Sequence, residues 1–351
     1  MNVLVLGAGG FIGSNLVEHF AERSEHDVVG IDLSRDKLAG IRSPGFRFVR
    51  ADITRTPRAV ERAVKAADVV IDLVAYANPS LYTTAPLDVI RTNFTANAWI
   101  VETCVRHGAR LIQFSTSEVY GKATSETYVE DETDLRLGPV TRSRWVYASS
   151  KQLLERVIHA HGEAGDLEYT ILRPFNLIGP RFDYLVPPGT TGGPRVFAHF
   201  MSALLSDGPM YLVDGGQQRR AFTHVEDALA FVELLLHHPG ARNEIFNVGN
   251  PANDISIRDL ALLMLRSYEA LTGTAADCDL VEIPGIDFYG PGYEDTSRVP
   301  PDVTKARSLG WEPQHDLEST ILRSMEATLA AERDSKSGLL TRIVSAVNLQ
   351  R

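Results

Sequence analysis

Cysteine is nearly missing from this chain, which has 351 residues and only 2 cysteines. Cys104 and Cys278 are too far apart for a zinc-ligand pattern, and a single pair is too little for a disulfide framework. A reducing compartment, the cytoplasm, is therefore expected. The sequence also lacks an apolar run long enough to cross a membrane, so no membrane partner is expected. The apolar run at residues 1–6 stops at Gly7 without a basic segment before it, which predicts a strand and not a signal peptide.

Positive charge is also in short supply. The chain has 35 Lys and Arg against 45 Asp and Glu, a formal net charge of −10. Proteins that bind nucleic acid carry basic patches, so no nucleic-acid partner is expected. An anionic small ligand is still possible, because a few local arginines can bind one inside an acidic protein. The composition, 44% hydrophobic and 23% charged, is that of a globular protein.

Short apolar runs alternate with helix-length segments over the first two-thirds of the chain. The predicted strands are residues 1–6, 28–32, 47–49, 69–73, 110–115 and 170–173. The predicted helices between them include residues 12–21, 57–67 and 86–107. Strands without polar alternation are typical of a parallel sheet that is buried on both faces. The alternation of strands and helices predicts an α/β fold with a doubly wound parallel sheet.

The pattern becomes irregular after Asn176. Residues 179–194 are rich in Gly and Pro and predict a loop. Further elements are predicted at residues 195–205 (helix), 222–236 (a strand start and a helix), 245–248 (strand) and 256–271 (a helix capped by Ser256). We predict a dinucleotide-binding domain at residues 1–175 with a returning segment at about 221–248. A smaller, interleaved C-terminal domain at 176–220 and 249–335 would bind the substrate, and 336–351 would form a C-terminal tail.

The first predicted strand leads into a glycine loop, G-x-x-G-x-x-G, which opens a predicted helix. Its glycines allow a tight turn, the approach of backbone to a pyrophosphate and close packing of helix on strand. The second strand ends in Asp32, whose carboxylate can bind an adenine-ribose diol and would repel a 2′-phosphate. The pattern predicts a Rossmann domain that binds NAD. The candidate NAD-binding residues are Gly7, Gly10, Phe11, Ile12, Gly13, Asp32, Asp52, Ile53, Leu73, Ala75, Tyr147 and Lys151.

Tyr147 and Lys151 form a Tyr-x-x-x-Lys pair at the start of a helical pattern. Residues four apart share one face of a helix. An ammonium beside a phenol favours the phenolate, which would make Tyr147 a general base. By itself such a pair is usually ordinary helix surface. After a dinucleotide loop and a strand that ends in Thr116, Ser117 and Glu118, it predicts oxidation of a carbinol.

Together these motifs resemble the extended short-chain dehydrogenase/reductase family, whose members act mainly on nucleotide sugars. Finer motifs resemble the UDP-glucuronic acid decarboxylase group, in particular the decarboxylase domain of the bacterial aminoarabinose lipid-A pathway and the plant UDP-apiose/UDP-xylose synthases. These motifs are residues 114–121 (FSTSEVYG), 144–152 (RWVYASSKQ), 173–181 (RPFNLIGPR), 212–216 (LVDGG) and 245–251 (IFNVGNP). The resemblance implies an NAD-dependent enzyme, both lyase and oxidoreductase, that forms a homodimer through helices such as 86–107 and 147–160.

The resemblance also implies a reaction. Oxidation at C4 of UDP-glucuronic acid gives a β-keto acid that loses carbon dioxide, leaving UDP-4-keto-pentose or UDP-xylose. The implied catalytic residues are Tyr147, Lys151, Thr116, Ser117, Glu118 and Arg298. Arg298 would hold the carboxylate, although a count from Tyr293 places Val299 at that position instead. The implied residues for sugar, diphosphate or uracil are Tyr82, Arg144, Asn176, Arg195, Arg220 and Tyr293.

Several alternatives stay open at this point. The plant synthases carry Cys where Ala77 and Ser117 stand here, which favours decarboxylation without ring contraction, but a UDP-apiose/UDP-xylose synthase that contracts the ring is a second reading. A UDP-glucuronate C4-epimerase would share the glycine loop and the Tyr147/Lys151 pair. A 4,6-dehydratase would need Asp-Glu after Thr116, where Ser117 and Glu118 stand. A non-catalytic NAD-sensing regulator would not need the intact pair.

Overall fold

The computed structural model describes residues 1–23, 26–182, 184–187, 189–193, 195–291, 294 and 299–348, with side chains up to residue 333. The strands are β1 (Asn2–Leu6), β2 (Asp27–Asp32), β3 (Phe46–Arg50), β4 (Val69–Asp72), β5 (Arg110–Phe114), β6 (Tyr169–Pro174), β7 (Leu177–Ile178), β8 (Met210–Val213), β9 (Arg219–Ala221), β10 (Thr223–His224), β11 (Glu244–Val248), β12 (Asp254–Ser256) and β13 (Leu280–Ile283). The helices are α1 (Phe11–Arg23), α2 (Pro57–Lys65), α3 (Pro79–Thr84), α4 (Pro86–Ile90), α5 (Asn97–His107), α6 (Val146–Glu163), α7 (Val196–Ser206), α8 (Val225–His237), α9 (Ile257–Thr272), α10 (Gly285–Tyr289), α11 (Thr304–Ser308) and α12 (Leu317–Asn348).

Seven parallel strands form the central sheet, in the order β11-β6-β5-β4-β1-β2-β3. All four residues of β4 and all five of β5 are buried, as expected for strands covered on both faces. The chain builds outward from β1 to β3 and then crosses back to β4 on the other side of β1. This reversal opens a crevice at the carboxyl ends of β1 and β4, where α/β sheets bind their ligands. The predicted doubly wound α/β fold is confirmed.

Helices cover both faces of this sheet. Leu16 and Phe20 of α1 and Phe231 of α8 pack into the hydrophobic cluster on one face. Val60 of α2 and Ile100 of α5 pack into the cluster on the other face, together with residues of α6. The crevice between β1 and β4 is therefore set in a scaffold whose strands and helices are fixed by burial.

A third hydrophobic cluster lies outside the sheet. It joins α7, α9 and α12 to β8, which pairs with β13 in parallel. The helices predicted at residues 195–205 and 256–271 are present as α7 and α9, and the Ser256 side chain caps α9 by accepting a hydrogen bond from the Asp259 backbone N–H. The sequence did not indicate β8 or β13. The domain boundaries given above stay a prediction, and α12 continues through most of the segment that was predicted as a tail.

The helix predicted at residues 86–107 is present with one irregularity. Between α4 and α5, the segment Arg91–Ala96 is π-helical. Single π-helical turns inside α-helices occur often at functional sites. No helix in the described part of the chain is long and apolar enough to cross a membrane.

Candidate functional site

The glycine loop packs tightly between β1, β2 and α1. Gly7 has φ +81°, a conformation that side chains rarely adopt. A Cβ atom on Gly13 would lie 2.1 Å from the Gly7 carbonyl oxygen, so only glycine lets α1 approach the loop this closely. A Cβ on Gly9 would lie 2.1 Å from the Ser34 carbonyl oxygen, which makes Gly9 a further required glycine that the sequence analysis did not single out. The loop keeps backbone exposed toward the crevice, as a dinucleotide pyrophosphate requires.

Asp32 stands at the end of β2 beside this loop. Its Oδ2 accepts a hydrogen bond from the Gly9 backbone N–H at 2.8 Å, and its Oδ1 accepts one from the Leu33 N–H at 2.6 Å. These bonds fix the carboxylate at the wall of a cavity, here named the β2 cavity, which Asp52 and Ile53 also line. A fixed anion at this wall fits a ribose diol and opposes a 2′-phosphate.

Asp52 lies in the same cavity but is engaged in a turn. Hydrogen bonds from the Thr54 hydroxyl at 2.6 Å and the Thr54 N–H at 2.8 Å reach one of its oxygens. The bond from the Thr54 side chain is the main reason why the pKa of Asp52 lies below its usual value. Asp52 is therefore an anion at the rim that shapes the cavity.

Most of the predicted residues meet in a cleft of about 480 Å³, here named the central cleft. A third cavity, here named the α7 cavity, adjoins it on the side of the C-terminal elements. The predicted residues that line the central cleft are Gly7, Gly10, Phe11, Ile12, Gly13, Leu73, Ala75, Tyr82, Thr116, Ser117, Glu118, Tyr147, Lys151, Asn176 and Arg195. The predicted residues that line the α7 cavity are Glu118, Arg144, Asn176, Arg195 and Arg220. Tyr293 and Arg298 lie outside the described residues.

Tyr147 and Lys151 stand on the face of α6 that borders the central cleft. The Tyr147 ring stacks on Tyr82, with centroids 5.0 Å apart and an interplanar angle of 7°. Lys151 is 1% exposed and donates a hydrogen bond from Nζ to the Phe114 carbonyl oxygen at 2.8 Å. Burial lowers the pKa of the Lys151 ammonium, and the Asp72 carboxylate opposes this. The pair is thus fixed at the floor of the cleft, where a general base needs to be.

The residues after β5 approach the pair from the other side. Thr116 caps the short turn that follows, because its hydroxyl accepts a hydrogen bond from the Glu118 N–H at 3.1 Å. The Glu118 carboxylate forms an ion pair with the guanidinium of Arg144, which is 4% exposed. Burial, followed by the charge of Glu118, raises the pKa of Tyr82 well above its usual value, so Tyr82 stays a neutral phenol. Ser117 is buried at the wall of the same cleft.

Asn176 and Arg195 lie where the central cleft joins the α7 cavity. Asn176 adopts φ +38°, and its amide donates a hydrogen bond to the Ala221 carbonyl oxygen at 3.0 Å. The Arg195 guanidinium lies over the Phe182 ring, 4.2 Å from the centroid. Arg220 lines the α7 cavity further along. Besides Arg144, which pairs with Glu118, the guanidinium groups of Arg195 and Arg220 line this cavity and suit an anionic ligand such as a diphosphate.

The segment after β4 forms another wall of the cleft, and the π-helical turn holds it. The Tyr76 N–H donates to Asn93 Oδ1 at 2.7 Å, and the Asn93 amide donates back to the Tyr76 carbonyl oxygen at 3.0 Å. Asn97 adds a hydrogen bond to the Val74 carbonyl oxygen at 2.9 Å. Ala77 lines the cleft on this segment. Asn93 and Asn97 were not predicted, because nothing in the sequence separates them from other helical asparagines.

Asp72, at the end of β4, was also missed. It is fully buried, and its Oδ2 has no hydrogen-bond partner among the described residues. Its Oδ1 accepts one bond, from the Val74 N–H at 3.0 Å. Burial raises the pKa of this carboxyl to about 6, against the attraction of the Lys151 ammonium. A buried acid therefore lies within electrostatic reach of the lysine of the Tyr147/Lys151 pair.

We expect Asp72→Asn to stabilise the protein at pH 8 but not at pH 4. Folding raises the pKa of this carboxyl, so the protonated form costs no stability and the ionised form lowers the free energy of unfolding. The loss therefore develops as the pH rises from about 4, near the pKa in the unfolded chain, through about 6, the pKa in the folded protein. With the pKa of Asp72 at about 6, removal of the charge should raise the free energy of unfolding at pH 8 by about 3 kcal/mol. Urea denaturation at both pH values measures the difference.

The matched control for this charge change is Asp134→Asn, whose carboxylate is 74% exposed in a surface pair with Arg136. Ion pairs exposed at the surface contribute little to the free energy of unfolding, so Asp134→Asn should change it by less than about 1 kcal/mol at either pH. A gain for Asp72→Asn that is as large at pH 4 as at pH 8 would contradict the assigned titration.

Comparison with known proteins agrees with this geometry. The chain is 38% identical to the UDP-D-apiose/UDP-D-xylose synthase of Oryza sativa subsp. japonica, over 98% of this chain and 92% of that one. The PbgP3 protein of Burkholderia pseudomallei has a similar structure, with a TM-score of 0.83, 36% identity and coverage of 93% of this chain and 95% of that one.

A UDP-glucuronic acid 4-epimerase from Bacillus cereus, solved with UDP-4-deoxy-4-fluoro-glucuronic acid and NAD, has a TM-score of 0.77 at 25% identity, with coverage of 94% of this chain and all of that one. Residues 3–249 match the NAD dependent epimerase/dehydratase family, which confirms the predicted cofactor, NAD. The match spans the glycine loop, Asp32 and the Tyr147/Lys151 pair, and the chain therefore belongs to the NAD dependent epimerase/dehydratase family.

Proposed function

We propose that this protein binds NAD and a UDP-sugar and decarboxylates UDP-glucuronic acid oxidatively, in the manner of the UDP-apiose/UDP-xylose synthases. The observation that carries the proposal is the meeting of Tyr147, Lys151, Ser117 and Glu118 in one cleft beside the glycine loop. The similarity to the rice UDP-D-apiose/UDP-D-xylose synthase over nearly the whole of both chains supports a UDP-pentose product.

The residues of the central cleft fit the first step. When bound, NAD would supply the hydride acceptor for the carbinol at C4. Tyr147 would take the proton of the C4 hydroxyl, and Lys151 would favour the phenolate that takes it. Tyr82, stacked on Tyr147, excludes water from one face of the ring and limits its rotation. The product of this step carries a ketone at C4, two bonds from the carboxyl carbon.

Loss of carbon dioxide follows from that relationship. The electrons of the breaking bond between C5 and the carboxyl carbon flow into the C4 ketone, giving an enolate that later takes a proton at C5. Ser117 and Glu118 would stand beside the ring at this carbon, and Arg144 holds Glu118 in place. Arg298 is proposed to hold the departing carboxylate. Arg195 and Arg220 would bind the diphosphate along the α7 cavity, because one guanidinium group can donate two parallel hydrogen bonds to phosphate oxygens.

The candidate products differ in what happens to the C4 ketone after decarboxylation. The similarity to the plant synthases favours a product mixture that includes the ring-contracted UDP-apiose. Ala77 and Ser117, which both line the central cleft, place no thiol there and favour UDP-xylose or the UDP-4-keto-pentose. A UDP-glucuronate C4-epimerase is the second candidate function, supported by the structural similarity to the Bacillus cereus enzyme.

The decisive experiment is an NMR time course with UDP-glucuronic acid that carries ¹³C in the carboxyl group, with and without added NAD. We expect release of labelled carbon dioxide together with new pentose signals, and the ratio of apiose to xylose signals identifies the product. UDP-glucose, which has no carboxylate, is the control substrate and should give no pentose. A hexuronate that keeps its label and is inverted at C4 would replace the proposal with the epimerase, and no turnover of an NAD-bound protein would reject both.

A further inference from the structure

Three histidines surround one glutamate at the amino ends of the sheet strands, and the cleft lies at their carboxyl ends. His26 immediately precedes β2, and Glu233 and His237 lie near the end of α8. The distance from Glu233 Oε1 is 3.2 Å to His26 Nε2 and 3.9 Å to His237 Nε2. His19 of α1 adds its Nε2 at 3.4 Å from Glu233 Oε2. One ligand atom each from His26, Glu233 and His237 lies within 4.8 Å of the other two, and His19 contacts the second oxygen of Glu233.

Local structure explains why these side chains meet. Glu233 and His237 are four residues apart on α8, so they share one face of the helix. This face turns toward α1, which brings His19 to the other oxygen of Glu233. The His26 ring is held between the edge of Phe20, with centroids 5.2 Å apart, and the stacked ring of His237 at 5.7 Å. The cluster is thus prearranged by packing.

The cluster reaches from the protein interior to the surface. The His26 side chain is only 2% exposed, and its Nδ1 has no hydrogen-bond partner among the described residues. The side chain of Glu233 is 22% exposed, and that of His237 is 57% exposed and leaves a path for an ion to enter.

We propose that His26, Glu233 and His237 form a binding site for a divalent transition-metal ion of the zinc class, in which a water would complete the tetrahedron. A tetrahedral zinc ion with ligands at about 2.0–2.1 Å separates neighbouring ligand atoms by about 3.4 Å. The distances from Glu233 Oε1 to His26 Nε2 and to His237 Nε2, 3.2 Å and 3.9 Å, bracket that value. Imidazole nitrogens with one carboxylate favour zinc, copper or nickel over magnesium and calcium, which prefer oxygen.

A second histidine cluster shows what a poorer site looks like. His224, Glu226 and His315 also lie close together. There the Arg323 guanidinium is 3.5 Å from Glu226, and His315 Nδ1 is 2.8 Å from Asp227. The Arg323 guanidinium already pairs with the Glu226 carboxylate, so we expect this second cluster to bind a metal ion weakly.

The position of the proposed site separates it from the reaction. β2 begins beside His26 and ends at Asp32, so the ion would lie at the amino ends of the strands, away from the NAD cleft. It would join the start of β2 to α8, and an ion that binds only the folded state stabilises that state. Removal of the ion should therefore lower the thermal midpoint and leave NAD binding unchanged.

The test uses the full chain, stripped with a chelator and then titrated calorimetrically with Zn²⁺ and with Mg²⁺. We expect one Zn²⁺ per chain, a thermal midpoint raised by several degrees with Zn²⁺ and not with Mg²⁺, and tetrahedral absorption bands when Co²⁺ is added. His237→Ala, at an exposed position, should lower the Zn²⁺ affinity at least tenfold, and Glu233→Gln should do the same.

His161→Ala is the matched control, because His161 is a histidine that pairs with Glu102 outside the cluster. It should leave the Zn²⁺ affinity unchanged. Stoichiometric Zn²⁺ binding that survives both cluster variants, or no Zn²⁺ binding by the stripped protein, would overturn the proposal. The proposed decarboxylation does not enter these readouts, so its failure and the failure of the metal site can be told apart.

Discussion

Replacement of Tyr147 by Phe is expected to lower the rate of sugar oxidation by roughly 100- to 10,000-fold, the usual contribution of a general base. Phe keeps the ring that stacks on Tyr82 at 5.0 Å, so the packing of α6 against α3 should survive. The hydroxyl, which is proposed to take the proton from the substrate, is the only part removed. Single-turnover formation of NADH, measured by its absorbance, reports this step directly.

Two further measurements separate chemistry from packing. NAD affinity and thermal stability of Tyr147→Phe should match the parent protein. Lys151→Met should lose activity at neutral pH and recover part of it as the pH rises, because an unassisted phenol ionises near pH 10. Tyr147→Phe has no phenol to ionise and should show no such recovery. Full turnover by Tyr147→Phe would assign the pair a structural role and remove the basis of the proposed reaction.

The second large effect is on folding. Arg173→Met should lower the free energy of unfolding by about 3–5 kcal/mol, because it leaves a buried carboxylate without its partner. Arg173 of β6 donates to Glu155 Oε2 at 2.7 Å and to the Tyr120 hydroxyl at 3.0 Å. Burial alone would lower the pKa of Arg173, but the attraction of the Glu155 carboxylate outweighs this effect and raises the pKa above its usual value. Urea denaturation measures the loss in the free energy of unfolding.

Glu155→Gln combined with Arg173→Met is the matched control, since it removes both charges and keeps the volume. Replacement of a whole buried ion pair is often neutral, so the double variant should recover most of the lost stability. If the single and double variants lose the same free energy of unfolding, the packing of the Arg173 side chain, and not its charge, would be what holds α6 against β6.

This ion pair also bears on the site. Glu155 lies one turn after Lys151 on α6 and accepts a hydrogen bond from the Ser115 hydroxyl, directly before Thr116. It therefore fixes α6 to the end of β5, the two elements that carry the proposed catalytic groups. We expect activity of Arg173→Met to fall in parallel with its stability.

Much of the fold and of the cleft could be predicted because the signals are local in sequence. The glycine loop, Asp32 and the Tyr147/Lys151 pair are each read within one strand, turn or helix, and the alternation of strands and helices orders them in the sheet. The strand bounds also follow from local burial: β2 was predicted at residues 28–32 and is Asp27–Asp32.

What escaped prediction depends on contacts between distant segments. Glu155 reads as an ordinary polar residue of α6, and only the approach of β6 makes it half of a buried ion pair. Asp72 reads as a strand-end acid, and its raised pKa follows from complete burial by the surrounding elements. The pairing of β8 with β13 joins segments about seventy residues apart, which no local periodicity encodes.

The π-helical turn between α4 and α5 makes this helix sensitive to changes of chain length. A π-helical turn closes i→i+5 hydrogen bonds, so loss of one residue from Arg91–Ala96 would let this turn close i→i+4 bonds and would change the spacing of the side chains that it presents. Asn93 and Asn97 could then no longer both face the backbone of Val74 and Tyr76. A one-residue deletion, which a surface loop would absorb, would here move a wall of the cleft.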